Sequence, residues 1–99
     1  MKSLDQLKSR ELDELFNAIL SLESIDECYN FFDDVCTINE LMAIAQRFEV
    51  ARLLLEGKNY VAISKESGAS SATISRVNRC LSFGNGGYKM ALSRLKEKK

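Results

Sequence analysis

The segment from Ile38 to Glu56 constrains this chain more than any other, because it reads as one long helix that is apolar on nearly every side. Thr37-Ile38-Asn39-Glu40 has the form of a capping box, in which a hydroxyl and a carboxylate reach the free N–H groups of a helix start. Leu41, Met42, Ile44, Ala45, Phe48, Val50, Ala51, Leu53, Leu54 and Leu55 follow, and Gly57 can close the helix in a left-handed conformation. A helix this apolar must be central. A chain of 99 residues has little with which to cover it, since small domains build only marginal cores. The pattern predicts an entwined homodimer in which a second copy covers part of this helix. The alternative is a monomer with a crowded core.

Helical spacing recurs on both sides of it. Leu12, Leu15, Phe16, Ile19 and Leu22 form one stripe over Ser9–Leu22. Ser24-Ile25-Asp26-Glu27 is a second capping box, opening a helix with Tyr29, Phe31, Phe32 and Val35 that ends near Cys36. Asn59 can cap a short helix from Tyr60 to Glu66, and Ser70 or Ser71 can cap another reaching about Ser82. Gly84-Asn85-Gly86-Gly87 is the clearest loop. A last helix from Tyr88 places Met90 or Ala91, Leu92 and Leu95 inward and frays into Lys96–Lys99. With no proline and no alternating strand pattern, the expected fold class is all-α with six helices.

Composition narrows the functional classes. The chain has no histidine, which excludes histidine-based acid–base chemistry and zinc sites built on that residue. Cys28, Cys36 and Cys80 are odd in number with no close pair, so they read as small buried hydrophobes and not as a disulfide framework. No catalytic constellation emerges, and no cofactor or metal is expected. The glycine loop lacks the strand and lysine of a nucleotide-binding loop and reads as a linker. No apolar run is long enough to span a bilayer, and the polar start Met1-Lys2-Ser3-Leu4-Asp5 is unlike a signal peptide, so a cytoplasmic location is expected, with no membrane partner.

The formal net charge of zero hides a division. Residues 1–50 carry four basic and eleven acidic side chains, while residues 51–99 carry ten basic and three acidic. One half is repelled by phosphate and the other drawn to it. Two solvated faces, or attraction between the halves, would leave the same record.

Within the basic half, Asn59–Phe83 meets the requirements of a helix-turn-helix. Two short helices must cross steeply over a turn of three or four residues. Gly68 supplies a residue at home with positive φ, and Ser64, four positions earlier, is small enough for the crossing. Ile63, Ala69, Ile74 and Val77 can fix the pair together. The start of the second helix is Ser70-Ser71-Ala72-Thr73, followed by Ser75 and Arg76. Short polar tips allow a backbone to approach a groove floor, where hydroxyls bond base edges and Ala72 or the Thr73 methyl touches thymine. Lys58, Lys65, Arg79 and Lys89 flank the unit and can neutralise phosphates, at the cost of salt sensitivity.

Thr37 through Phe83 resembles the trp repressor family, and within it the trp-repressor-related YerC/YecD proteins of Gram-positive bacteria. The stretches concerned are Leu53-Leu54-Leu55-Glu56-Gly57 and Gly68-Ala69-Ser70-Ser71-Ala72-Thr73-Ile74-Ser75-Arg76. The resemblance implies a six-helix trp-repressor-like fold whose N-terminal helices interlock in a homodimer. It implies repression at a palindromic operator in double-stranded DNA, with paired recognition helices about 34 Å apart. It also implies a corepressor pocket: Thr37, Arg47 and Arg76 match the family's ligand residues. The glycine beside the second arginine is replaced by Val77, however, and a nearby serine by Cys80. A valine would fill the slot where an indole lies, so tryptophan is not the expected effector. Arg47 and Arg76 could equally pair with carboxylates of the acidic half. The stretch between Gly57 and Gly68 is one residue shorter than in the trp repressor.

The expectation is one domain over residues 1–99, with dimerisation helices in 1–57, the helix-turn-helix in 59–83 and a C-terminal helix in 88–99. It is expected to act as a DNA-binding transcriptional regulator and not as an enzyme. The competing reading is a protein-interaction adaptor that keeps the helix-turn-helix shape without using it on DNA.

Overall fold

The computed structural model describes residues 8–98; the polar start at residues 1–5 and Lys99 lie outside them. Six helices occur, α1 (Arg10–Leu20), α2 (Ile25–Val35), α3 (Ile38–Leu55), α4 (Tyr60–Ser67), α5 (Ser71–Phe83) and α6 (Gly87–Glu97), with no strand among the described residues. None of these helices is long and apolar enough to cross a membrane. The chain divides into two compact units, Met1–Thr37 with α1 and α2, and Ile38–Lys99 with α3 to α6.

In the first unit each helix starts on a serine. The Ser9 hydroxyl accepts the Leu12 N–H at 3.1 Å, and the Ser24 hydroxyl accepts the Glu27 N–H at 3.1 Å. The capping box at Ser24 is displaced by one residue: the Glu27 carboxylate takes the N–H of Glu23, at 2.8 Å, in place of that of Ser24. Phe31 and Phe32 meet edge to face, with ring centroids 5.2 Å apart. Yet neither helix has a single buried residue. Leu12, Ile19 and Leu22 are half-buried, whereas Leu15, Phe16, Tyr29 and Val35 are exposed. The cysteines also depart from expectation. All three are free, but Cys28 and Cys36 are only half-buried, and Cys80 is exposed on α5.

The second unit holds the core: Val50, Ala51 and Leu53 of α3 with Ile63, Ala69, Ile74, Val77 and Leu92. Helices α4, α5 and α6 all pack on α3. Phe48, Leu54, Leu81 and Tyr88 pack around this cluster, with the Phe48 and Tyr88 rings 6.4 Å apart. Only the second half of α3 is central in this sense. In its first two turns Ile38 is 76% exposed, Met42 63% and Ile44 48%. On α6, Leu92 is buried as expected, but Met90 and Leu95 are exposed, and Tyr88 and Ala91 take the inner positions beside it.

The helix ends follow local chemistry. Gly57, at φ +85°, closes α3 in a Schellman arrangement: Lys58 N–H reaches the Leu53 carbonyl at 3.2 Å, and Gly57 N–H reaches that of Leu54 at 3.0 Å. Gly68, at φ +74°, closes α4 through a single bond from its N–H to the Ser64 carbonyl at 2.8 Å. A Cβ at Gly68 would meet no atom closer than 3.9 Å, so its requirement is one of backbone conformation and not of space. We expect Gly68→Ala to destabilise the chain by about 1–2 kcal/mol, the left-handed penalty for an L-residue. Urea unfolding should show a lower midpoint at unchanged m-value; an unshifted midpoint would contradict this account of the turn.

Candidate nucleic-acid interface

The pair α4–α5 is assembled from the turn outward. Asn59 starts α4 by accepting the Ala62 N–H at 2.9 Å. At the other end the Ser67 hydroxyl donates to the Ile63 carbonyl at 2.7 Å and accepts the Ala69 N–H at 3.1 Å. Ser64 serves as more than a small residue at the crossing, since its hydroxyl donates to the Ala69 carbonyl at 2.9 Å. Of the two candidate caps for α5, Ser70 is the one used; it accepts the Thr73 N–H at 3.2 Å. This is a helix-turn-helix.

A helix turns 100° per residue, so burial of Ile74 and Val77 dictates what points away. Ala72, Ser75, Arg76 and Arg79 lie on the opposite side of α5, and all are exposed. Ser70 and Ser71 are exposed at its start. Thr73 is half-buried, and its hydroxyl lies 3.2 Å from that of Ser70. No acidic residue occurs anywhere in α5. Asn78, exposed on the same helix, escaped the sequence reading although its amide is a natural partner for adenine.

The flanking cations are unequal. Lys65 is exposed and makes no ion pair among the described residues. Lys58 is bonded to Glu66 at 3.1 Å. That pair is solvent-exposed and so weak enough to be exchanged for a phosphate contact. Lys89 belongs elsewhere, in a groove of about 450 Å³ between α3 and α6 that it lines with Arg52, Leu55 and Leu92.

The residues matched to an effector pocket separate into three groups. Arg47 and Arg76, 29 positions apart, are brought to one cleft of about 240 Å³ with Ala43, Gln46, Ala72 and Thr73. Within residues 38–98 neither guanidinium is paired with a carboxylate. Two guanidinium groups beside a hydroxyl suit an anionic group, carboxylate or phosphate. Val77 and Cys80 do not line this cleft. The Val77 side chain belongs to the core cluster with Ile74 and Leu53, and Cys80 is exposed. Thr37 ends the other unit.

Comparison with known proteins bears on this arrangement. Residues 10–96 match a family model described as Trp repressor protein. The chain is 62% identical over 94 residues to YerC, an uncharacterized protein of Bacillus subtilis (strain 168), spanning 95% of this chain and 90% of that one. Its fold matches the crystal structure of a Staphylococcus aureus protein provisionally described as a Trp repressor, with TM-score 0.93, 50% identity and coverage of 97% and 96% of the two chains. A TrpR-like protein from Eubacterium eligens ATCC 27750 matches with TM-score 0.90 and 53% identity, over 93% of this chain and 95% of that one.

Proposed function

The chain belongs to the Trp repressor family, and on that premise we propose that it is a homodimeric regulator of transcription that reads a palindromic operator through α4 and α5. The observation that carries this reading is the outer face of α5. Ser71, Ala72, Ser75, Arg76 and Arg79 form an exposed surface of short polar tips and guanidinium groups, free of carboxylates. Lys65 stands beside it as a phosphate contact. Ser70 contributes by ordering the helix start and Thr73 by its methyl and hydroxyl at the groove edge. Lys58 joins them when it leaves Glu66. Repression, as opposed to activation, is the direction the family supports. That family is a regulator fold and not an enzyme family.

The homodimer is supported by apolar surface that one chain leaves uncovered, on the first turns of α3 and along α1, α2 and α6. Dimerisation also supplies the second recognition helix that a palindrome requires. Residues 1–57 carry most of this surface and are proposed as the dimerising part, with 59–83 as the reading part. Tryptophan is not proposed as the effector. Val77 and Cys80 replace the glycine and serine that the resemblance places around an indole, while the Arg47–Arg76 cleft retains affinity for an anion.

Titration against random genomic duplex fragments tests the main reading. The chain should enrich a palindrome, and Thr73→Ala should weaken binding to it by roughly ten-fold, about the size of one lost base contact. Lys65→Ala should lower the slope of log K against log salt by about 0.9 per lysine removed. Absence of binding at low salt would sink the DNA reading and leave the adaptor reading in its place. Sedimentation equilibrium should give a mass of two chains at micromolar concentration, and a monomer there would refute the dimer. Calorimetry with L-tryptophan should give no saturable heat; a tight complex would overturn the argument from Val77 and Cys80.

A further inference from the structure

The polar groups of the turn between α4 and α5 are satisfied mostly from within. The bonds among Ile63, Ser64, Ser67, Gly68 and Ala69 all close inside seven residues, so they hold the turn's shape without tying it to anything else. The last carbonyl of α4 is different. Ser67 O accepts from the side-chain amide of Gln46 at 3.2 Å, across 21 residues, from the middle of α3. Gln46 is half-buried, and the same nitrogen would lie 3.9 Å from a Cβ placed on Gly68. The residue therefore sits against both the end of α4 and the pivot of the turn.

Apolar contact holds α4 and α5 to α3 through Ile63, Ile74 and Val77. Such contact is non-directional: it fixes how close two helices lie much better than how one is rotated on the other. A hydrogen bond from an amide to a carbonyl is directional. Only the nitrogen end of Gln46 can donate, so the contact defines the orientation of that side chain as well. Ser70, which starts the reading helix, is three residues beyond the carbonyl that Gln46 holds. Gln46 also lines the anion-suited cleft beside Arg47 and Arg76. The strut thus lies in the wall of the cleft that α3 supplies.

We infer that Gln46 is a positioning residue, which fixes the orientation of the α4–α5 pair on α3 from within the chain, with no small molecule required. Its bearing on regulation rests on the DNA-reading role proposed above; the strut itself does not. An intrinsic strut sets the aim of α5 before any ligand arrives. A ligand entering the cleft would act by reinforcing or displacing the Gln46 amide.

The test uses the full chain with two substitutions. Gln46→Met keeps an unbranched side chain of similar length without a donor, and Gln46→Glu keeps the shape but only accepts at neutral pH. Amide hydrogen exchange should speed up about five-fold at Gly68 and Ala69 in both variants, the factor one net hydrogen bond supports. The amides of Val50 to Leu53 should be unchanged. Unaltered exchange at Gly68 and Ala69 overturns the strut. A uniform rise across α3 to α6 overturns it too, since that marks general destabilisation. In DNA titration, the uncharged Gln46→Met variant should bind an enriched palindrome several-fold more weakly, with low-salt binding to random duplex unchanged. If the unaltered chain binds no DNA, the regulator reading falls, while the exchange result still decides the role of Gln46.

Discussion

The packing of Val50, Ala51 and Leu53 against Ile63, Ile74, Val77 and Leu92 underlies everything else in the unit formed by residues 38–98. These three residues of α3 present consecutive faces of one helix, and α4, α5 and α6 each press on that stretch. Ala51 is as important as its larger neighbours, because a small side chain lets another helix approach closely. Burial of this kind contributes roughly 1.5–3 kcal/mol for each large aliphatic side chain, so the cluster is the main source of cohesion in the unit. It contains no buried polar or charged residue among those described. Directional interactions lie outside the cluster: helix caps, the turn with Gln46 against it, the Lys58–Glu66 pair, and Arg52. Through its hydrogen bond, Arg52 holds the Glu49 carboxyl below the usual carboxylate range on the outer side of α3.

The character of α5 follows from that cluster by rotation alone. Once Ile74 and Val77 are seated, Ala72, Ser75, Arg76 and Arg79 have no direction left but outward. The same rotation brings Arg76 and Thr73 to the side facing Arg47, which creates the cleft. One helix thus contributes a core face, an outer face and a cleft wall. A substitution that shifted its register would disturb all three.

Most helix starts could be read from the sequence because they are local. Ser9, Ser24 and Asn59 each cap the helix they precede, and the same kind of signal narrowed α5 to Ser70 or Ser71. Gly57 and Gly68 announced left-handed ends through a backbone preference that no neighbour overrides. What sequence reasoning missed depends on a second element. Periodicity says which residues share a face of their own helix, but not what lies opposite. Hence periodicity leaves Met90 and Ala91 as alternatives, of which Ala91 is the inner one, and it places Leu95 inward beside Leu92 where the structure leaves it exposed. Residue type alone assigns the cysteines to the interior, which fails for Cys28 and Cys36, on and just after a helix that buries nothing, and for Cys80 on an uncovered face of α5. Gln46 gave no signal, being a polar residue in an apolar helix whose partner lies 21 positions away.

Helices α1 and α2 each span eleven residues without burying a side chain. Isolated helices of that length are marginal in water, because the nucleation cost is spread over too few hydrogen bonds. Their caps define where they begin but do not by themselves keep them formed. Helix content in this chain is accordingly not one number: α3 to α6 are supported by the core they share, whereas α1 and α2 bury no side chain that would do the same. If the homodimer proposed above forms through these helices, the ellipticity of dilute and concentrated solutions differs by two helices, and the N-terminal third of the chain becomes a gauge of the company it keeps.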